Sequence, residues 1–97
     1  MAKVVWTKSS LNDLKLIFEY ISIDSHFYAS RFINKIVDRV EQLIVFPESG
    51  RIVPEKEDTT IRELIEGNYR IFYRLQKNNV TVLRIHNSAR RIKKSRK

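Results

Sequence analysis

The feature that most constrains this chain is an unbroken apolar stripe between residues 28 and 44. Tyr28, Ala29, Phe32, Ile33, Ile36, Val37, Val40, Leu43 and Ile44 recur at i, i+3, i+4 spacing, which predicts one long amphipathic helix with a continuous buried face. Asp24 or Ser25 is placed to start it, and Pro47 must stop it near Phe46, because proline lacks a donor and restricts the residue before it. Each large stripe residue, fully buried, contributes roughly 1.5–3 kcal/mol, so this helix anchors the core. A shorter stripe precedes it: Leu11, Leu14, Ile17, Phe18 and Ile21, behind Ser9 or Ser10 as cap and Asp13 as a capping-box acid. Two helices so closely linked pack as an antiparallel hairpin.

The remaining sequence supplies the sheet. Lys3–Thr7 reads as a first strand, and three more follow at about Thr60–Ile65, Tyr69–Gln76 and Val80–Asn87. Between helix and strands, "PESGRIVPEKEDTT" from Pro47 to Thr60 is polar, holds both prolines, and reads as a long surface loop. The expected architecture is α+β in the order β-α-α-β-β-β, a helical hairpin on one face of a small, mainly antiparallel sheet. The expected organisation is a single domain over residues 1–97, in which 90–97 form a basic, flexible tail.

Alternation along Tyr69–Gln76 sends Tyr69, Ile71, Tyr73 and Leu75 to the helices and Arg70, Phe72 and Arg74 to the other face. In the last strand Thr81, Leu83 and Ile85 form the better core set, leaving Val82, Arg84 and His86 opposite. Sharing a core face then requires an odd-length hairpin loop such as Gln76-Lys77-Asn78. Arg70 lies opposite or diagonal to Arg84, a like-charge juxtaposition that costs a few tenths to about 1 kcal/mol and suggests an anionic ligand. The competing structural reading is that these arginines cover Phe72 and Val82 and pair with Glu63 or Glu66.

Charge is unevenly distributed. Residues 1–50 carry six basic and six acidic side chains, whereas residues 51–97 carry thirteen and five, so the whole +8 lies in the second half. One strongly positive face is expected, suited to nucleic acid or an acidic protein. With no cysteine, disulfides and thiolate metal sites are excluded, consistent with a cytoplasmic setting. No apolar run approaches the roughly 18 residues of a membrane span, no signal peptide is read, and no metal-ligand cluster appears. Of the two histidines, His26 falls at the helix-helix turn and His86 in the last strand.

In this context "GRIVPE", "IRELIEGNYRIFYR" and "VLRIHNSAR", in that order behind a long helix and before a basic tail, resemble the RelE/ParE superfamily of toxins from bacterial type II toxin-antitoxin systems. The resemblance spans nearly the whole chain. It implies a small toxin neutralised by a cognate antitoxin whose acidic or amphipathic segment covers the basic surface. Arg51, Arg62, Arg70, Arg74, Arg84, Arg90 and Arg91 are the candidate anion-, target- or antitoxin-binding residues.

Two targets divide that superfamily. ParE-like members bind DNA gyrase without chemistry of their own, and "RIHNSARR" is closer to these. RelE- and YoeB-like members cut mRNA on the ribosome; on that pattern Glu55 would be general base, Arg70 phosphate stabiliser and His86 acid, with no metal or other cofactor needed. His86-Asn87 in place of a His-Tyr pair, and "IRELIE" with only Arg62 as a cation, depart from the nuclease pattern. A third possibility is a non-toxic basic domain that binds nucleic acid through salt-sensitive phosphate contacts.

Overall fold

Two helices lie against one face of a five-stranded sheet in the computed structural model, which describes residues 1–88. Strand β1 (Lys3–Trp6) leads into helices α1 (Lys8–Ser22) and α2 (His26–Glu41); then come β2 (Arg51–Ile52), β3 (Ile61–Glu66), β4 (Tyr69–Gln76) and β5 (Asn79–Asn87). The sheet order is β1-β5-β4-β3-β2. All neighbours are antiparallel except β1 and β5, whose parallel pairing is closed over by the helices. The expected fold is therefore present, with one added strand: β2 is two residues inside the segment read as loop, too short to leave a periodic signal.

The local starts differ from the expected ones in an instructive way. Helix α1 is capped by Thr7, whose Oγ1 accepts from Ser10 N–H at 3.1 Å, not by Ser9 or Ser10. The same hydroxyl donates to Val82 O at 2.8 Å, so the cap is also a fastener between helix and sheet. Asp13 is released from the capping role and points to β5. Ser25 caps α2 as expected, accepting from Tyr28 N–H. That helix ends at Glu41 and tightens into a 3-10 turn, Gln42–Ile44, before reaching Pro47.

Ala29, Ile36, Val40 and Leu43 from the long stripe are fully buried, and the last three pack with Ile17, Leu64, Ile71, Tyr73, Val80 and Val82. Tyr28 and Leu11, expected in the stripes, are exposed instead because each lies at the edge of its helix's apolar arc. Tyr69, Ile71 and Tyr73 face the helices as alternation requires. In β5 the buried set is Val80, Val82 and Ile85, not Thr81, Leu83 and Ile85.

The cause is a compensated register. Lys77 and Asn78 both adopt positive φ, 48° and 64°, forming a two-residue turn of the type I′ kind between paired Gln76 and Asn79. This even-length turn would put β5 out of phase, and a bulge in the ladder at Phe72/Tyr73 restores it: Tyr73 pairs with Val82, but Phe72 pairs with Arg84. Leu83 is the extra residue. Beyond it the ladder follows the expected parity, with Ile71 opposite Ile85.

Tyr73 ties the helix exit to the sheet. Its hydroxyl donates to Pro47 O at 2.8 Å and accepts from Gly50 N–H at 3.0 Å. Burial pushes the phenol pKa up, because the phenolate would lose water. A Cβ on Gly50 would stand 2.6 Å from the Tyr73 hydroxyl and 2.7 Å from Glu63 O, so only glycine fits this approach. Replacing Tyr73 by Phe leaves the Gly50 donor unsatisfied and is expected to lower unfolding free energy in urea by about 1–3 kcal/mol. The alkaline limit of stability should also shift, since a raised phenol pKa supports the fold below pH about 10 and loses that support as pH rises through the folded value.

Candidate functional site: a groove of paired arginines on the open sheet face

The face turned away from the helices carries the candidate residues. Register places Arg51, Glu63, Arg70, Phe72, Arg74, Arg84 and His86 on it, with Arg70 directly opposite His86 and Arg84 diagonal to Arg70. Arg62 is the exception. It pairs with core-facing Tyr73, and its Nη1 donates to Gly50 O at 2.7 Å and Glu48 O at 3.2 Å, bracing the loop after the helices. Arg90 and Arg91 lie outside the described residues.

A groove of about 310 Å³ runs over this face, lined among others by Val53, Glu55, Ile61, Arg70, Phe72 and Leu83, with Arg84 and His86 along one wall. Its floor is apolar because the bulge turns Leu83 toward Phe72's side of the sheet. The Phe72 ring meets His86 edge-on at 5.5 Å and lies 4.9 Å under the Arg70 guanidinium carbon. Glu55, Arg70 and His86, which the nuclease pattern would use together, thus share one groove.

The expected like-charge crowding does not occur, because the domain's own carboxylates neutralise the arginines. Glu63, its side chain wholly buried, accepts from Arg70 Nε at 2.6 Å and from Arg51 Nε at 2.5 Å. The two outer nitrogens of Arg70 donate to both Glu55 oxygens at 3.1 and 3.2 Å. Arg74 pairs with Asp58 at 3.1 Å, and Arg84 with Asp13 at 2.9 Å. Pairing with Glu63 was the alternative the sequence allowed, whereas Asp13, 71 residues from Arg84, gave no signal at all. Asp13 also accepts from Ile85 N–H at 2.8 Å, completing an edge of β5 that β1 does not reach.

These pairs hold the guanidinium groups firmly protonated: hydrogen bonds to Glu55 and then Glu63 raise the Arg70 pKa, and the Asp13 bond raises that of Arg84. Asp58 is drawn down from 3.8 to about 2 by the Thr60 hydroxyl, then the Thr60 N–H, then Arg74. Among the described residues no group of His, Cys, Asp or Glu could hold a metal ion, and no helix is long and apolar enough to cross a membrane. His26 opens α2 and stacks edge-on to Phe18 at 5.1 Å, away from the groove.

The family model described as ParE toxin of type II toxin-antitoxin system, parDE, matches residues 4–92. Toxin RelE2 of Caulobacter vibrioides is 35% identical over 91 residues, covering 93% of this chain and 99% of that protein. The chromosomal ParDE toxin-antitoxin system of P. aeruginosa superimposes with a TM-score of 0.72 at 24% identity, covering 90% of this chain and 96% of the other. The RelBE2 toxin-antitoxin complex of Mycobacterium tuberculosis gives 0.67 at 20% identity, covering 89% and 96%.

Two outcomes test this geometry. Glu63→Ala strands one guanidinium that is largely buried and is expected to cost about 3–5 kcal/mol in urea unfolding, well above a surface ion pair. The Asp58 contribution is present above pH 3.8 and is lost as pH falls toward about 2, because its folded pKa is the lower one. Protection of the Thr60 amide, taken relative to the intrinsic exchange rate at each pH, should fall across that window in the parent chain and should not change across it in Asp58→Asn.

Proposed function

The chain belongs to the ParE toxin family of type II toxin-antitoxin systems, and on that premise we propose that it inhibits growth by binding DNA gyrase and is neutralised by a cognate antitoxin. The observation that carries the choice of binding over chemistry is the pairing of the open-face arginines. Arg70 has its Nε committed to buried Glu63 and its outer nitrogens to Glu55. Arg74 and Arg84 are likewise paired. A phosphate in flight between leaving and attacking oxygens requires preorganised, available donors, whereas a docking surface is satisfied by shape, apolar floor and rim charge. The match of the ParE model over most of the chain supports the same choice. A cytoplasmic location accompanies this reading, since gyrase and its DNA are found there.

A ribosome-dependent mRNA endoribonuclease is the second reading, favoured by the convergence of Glu55, Arg70 and His86 in one groove. In that chemistry Glu55 would take the proton of a ribose 2′-hydroxyl, Arg70 would steady the phosphorane charge, and His86 would protonate the leaving oxygen. The non-toxic nucleic-acid-binding reading has less support, because the described sheet face is close to electroneutral.

Induction of the chain with and without its antitoxin separates these. Gyrase binding predicts growth arrest with relaxed plasmid and intact message, and His86→Ala should change toxicity by less than about tenfold. The nuclease predicts cleaved message with unchanged topology, and His86→Ala should reduce cleavage by roughly a hundredfold or more, the usual contribution of a general acid. Normal growth under strong induction of folded protein would remove both.

A further inference from the structure

The four carboxylates that meet the open-face arginines fall into two groups. Glu63 and Asp13 are buried and sit on regular elements. Glu55 and Asp58 are exposed, with 57% and 44% of their side chains accessible, and both belong to the segment that crosses the open face between β2 and β3. That segment is fixed at its ends: Val53 is buried and its N–H donates to Ile61 O at 3.3 Å, while Asp58 is held by Thr60 and Arg74. Pro54, Glu55, Lys56 and Glu57 arch between these points, all exposed. The Glu55 pair to the Arg70 outer fork joins that arch to the sheet.

Arg70 is thus divided in function along its own guanidinium. Its Nε edge faces the sheet and is bound to a buried carboxylate that cannot leave without a large penalty. Its Nη edge faces the groove and holds an exposed carboxylate in the two-point geometry that guanidinium uses for an external carboxylate. Only the Glu55 half of this pair is exposed, and Arg70 keeps its bond to Glu63 when Glu55 leaves, so an incoming carboxylate can take the Glu55 place without stranding the guanidinium.

We propose that the outer fork of Arg70 is a carboxylate receptor which the protein fills with its own Glu55, and that a protein partner displaces Glu55 with an acidic side chain flanked by apolar residues. This inference rests on the reading that an antitoxin peptide covers the toxin. A peptide fits the groove better than nucleic acid does. The floor is formed by Val53, Ile61, Phe72 and Leu83, and a polyanion would meet Glu55, Glu63, Asp58 and Asp13 beside every arginine it approached. One carboxylate placed in the Glu55 position exchanges an ion pair for an ion pair, and the apolar neighbours supply the net gain. Release of Glu55 removes the Arg70 tie from the 54–57 arch, which keeps the Lys56 N–H bond to Val53 O at 3.2 Å, so the ligand loosens the segment nearest to it.

The test uses the full chain and three probes: a capped peptide with one glutamate between leucines, its glutamine counterpart, and trithymidylate. The Arg70 Nε–H resonance and the amide exchange of residues 55–57 are followed by NMR in the parent and in Glu55→Gln. If Glu55 occupies the fork about nine-tenths of the time, its removal should tighten the glutamate peptide about tenfold, since apparent affinity scales with the open fraction. The glutamine peptide should gain nothing, and amides 55–57 should exchange faster in the parent when the glutamate peptide binds. Equal affinity in parent and Glu55→Gln, slower exchange on binding, or preference for trithymidylate would each overturn the proposal. Glu55→Ala provides the same comparison without a hydrogen-bonding amide. Growth arrest reversed by an antitoxin, together with an unchanged Glu55→Gln affinity, would reject this inference and leave the toxin assignment intact.

Discussion

A single buried carboxylate organises the open half of this molecule. Glu63 sits in the middle of β3 with its side chain wholly inaccessible, and it reaches Arg51 on β2 and Arg70 on β4 at once. An isolated carboxylate there would cost many kcal/mol through lost hydration, so both guanidinium groups are obligatory partners. The consequence runs outward in both directions. Arg51 fixes a two-residue strand that has little else to order it, and Arg70 is held with one edge down and one edge up. Everything that later happens at the groove uses the edge that Glu63 leaves over.

The second organising device is the bulge in β5. A two-residue turn through Lys77 and Asn78 is compact, but it sets the wrong phase for Ile85 to join the core. One additional residue at Leu83 corrects the phase and has two local effects. It adds an apolar side chain to the groove floor and puts Arg84 opposite Phe72, and it falls where β5 runs past the end of β1 and keeps a strand only on its β4 side. Helix α1 supplies what is missing there: Thr7 accepts and donates at the junction, and Asp13 receives the Ile85 N–H and the Arg84 guanidinium together. A groove wall and a strand edge are therefore finished by one helix start.

These two devices mark the limit of what the sequence discloses. The helical hairpin is legible because Ile36, Val40 and Leu43 continue a stripe that keeps one period from residue 28 to 44, and β4 is legible because Tyr69, Ile71 and Tyr73 alternate cleanly. Parity fails in β5 because it assumes a uniform ladder, and Lys77-Asn78 lacks the glycine that would announce a type I′ turn. Strand β2 fails because two residues have no period. The pairing of Arg84 with Asp13 fails for a different reason. Asp13 also suits a local capping role, and nothing within the helix signals that its carboxylate is required 71 residues away.

The arginines illustrate how a charge count and a charge distribution diverge. Half of the chain carries the entire +8, which suggests a strongly positive sheet. Yet Arg51, Arg70, Arg74 and Arg84 stand among Glu63, Glu55, Asp58 and Asp13, and residues 1–88 as a whole hold thirteen basic and eleven acidic side chains. Six of the eight excess positive charges belong to residues 90–97. Long-range attraction of a negatively charged partner, which falls off over about 10 Å at moderate salt, is thus a property of the terminal sequence. Recognition at the sheet is short-range and depends on exchanging one carboxylate for another over an apolar floor. Affinity at the groove should consequently depend on side-chain geometry more than on ionic strength, and association rate should show the opposite dependence.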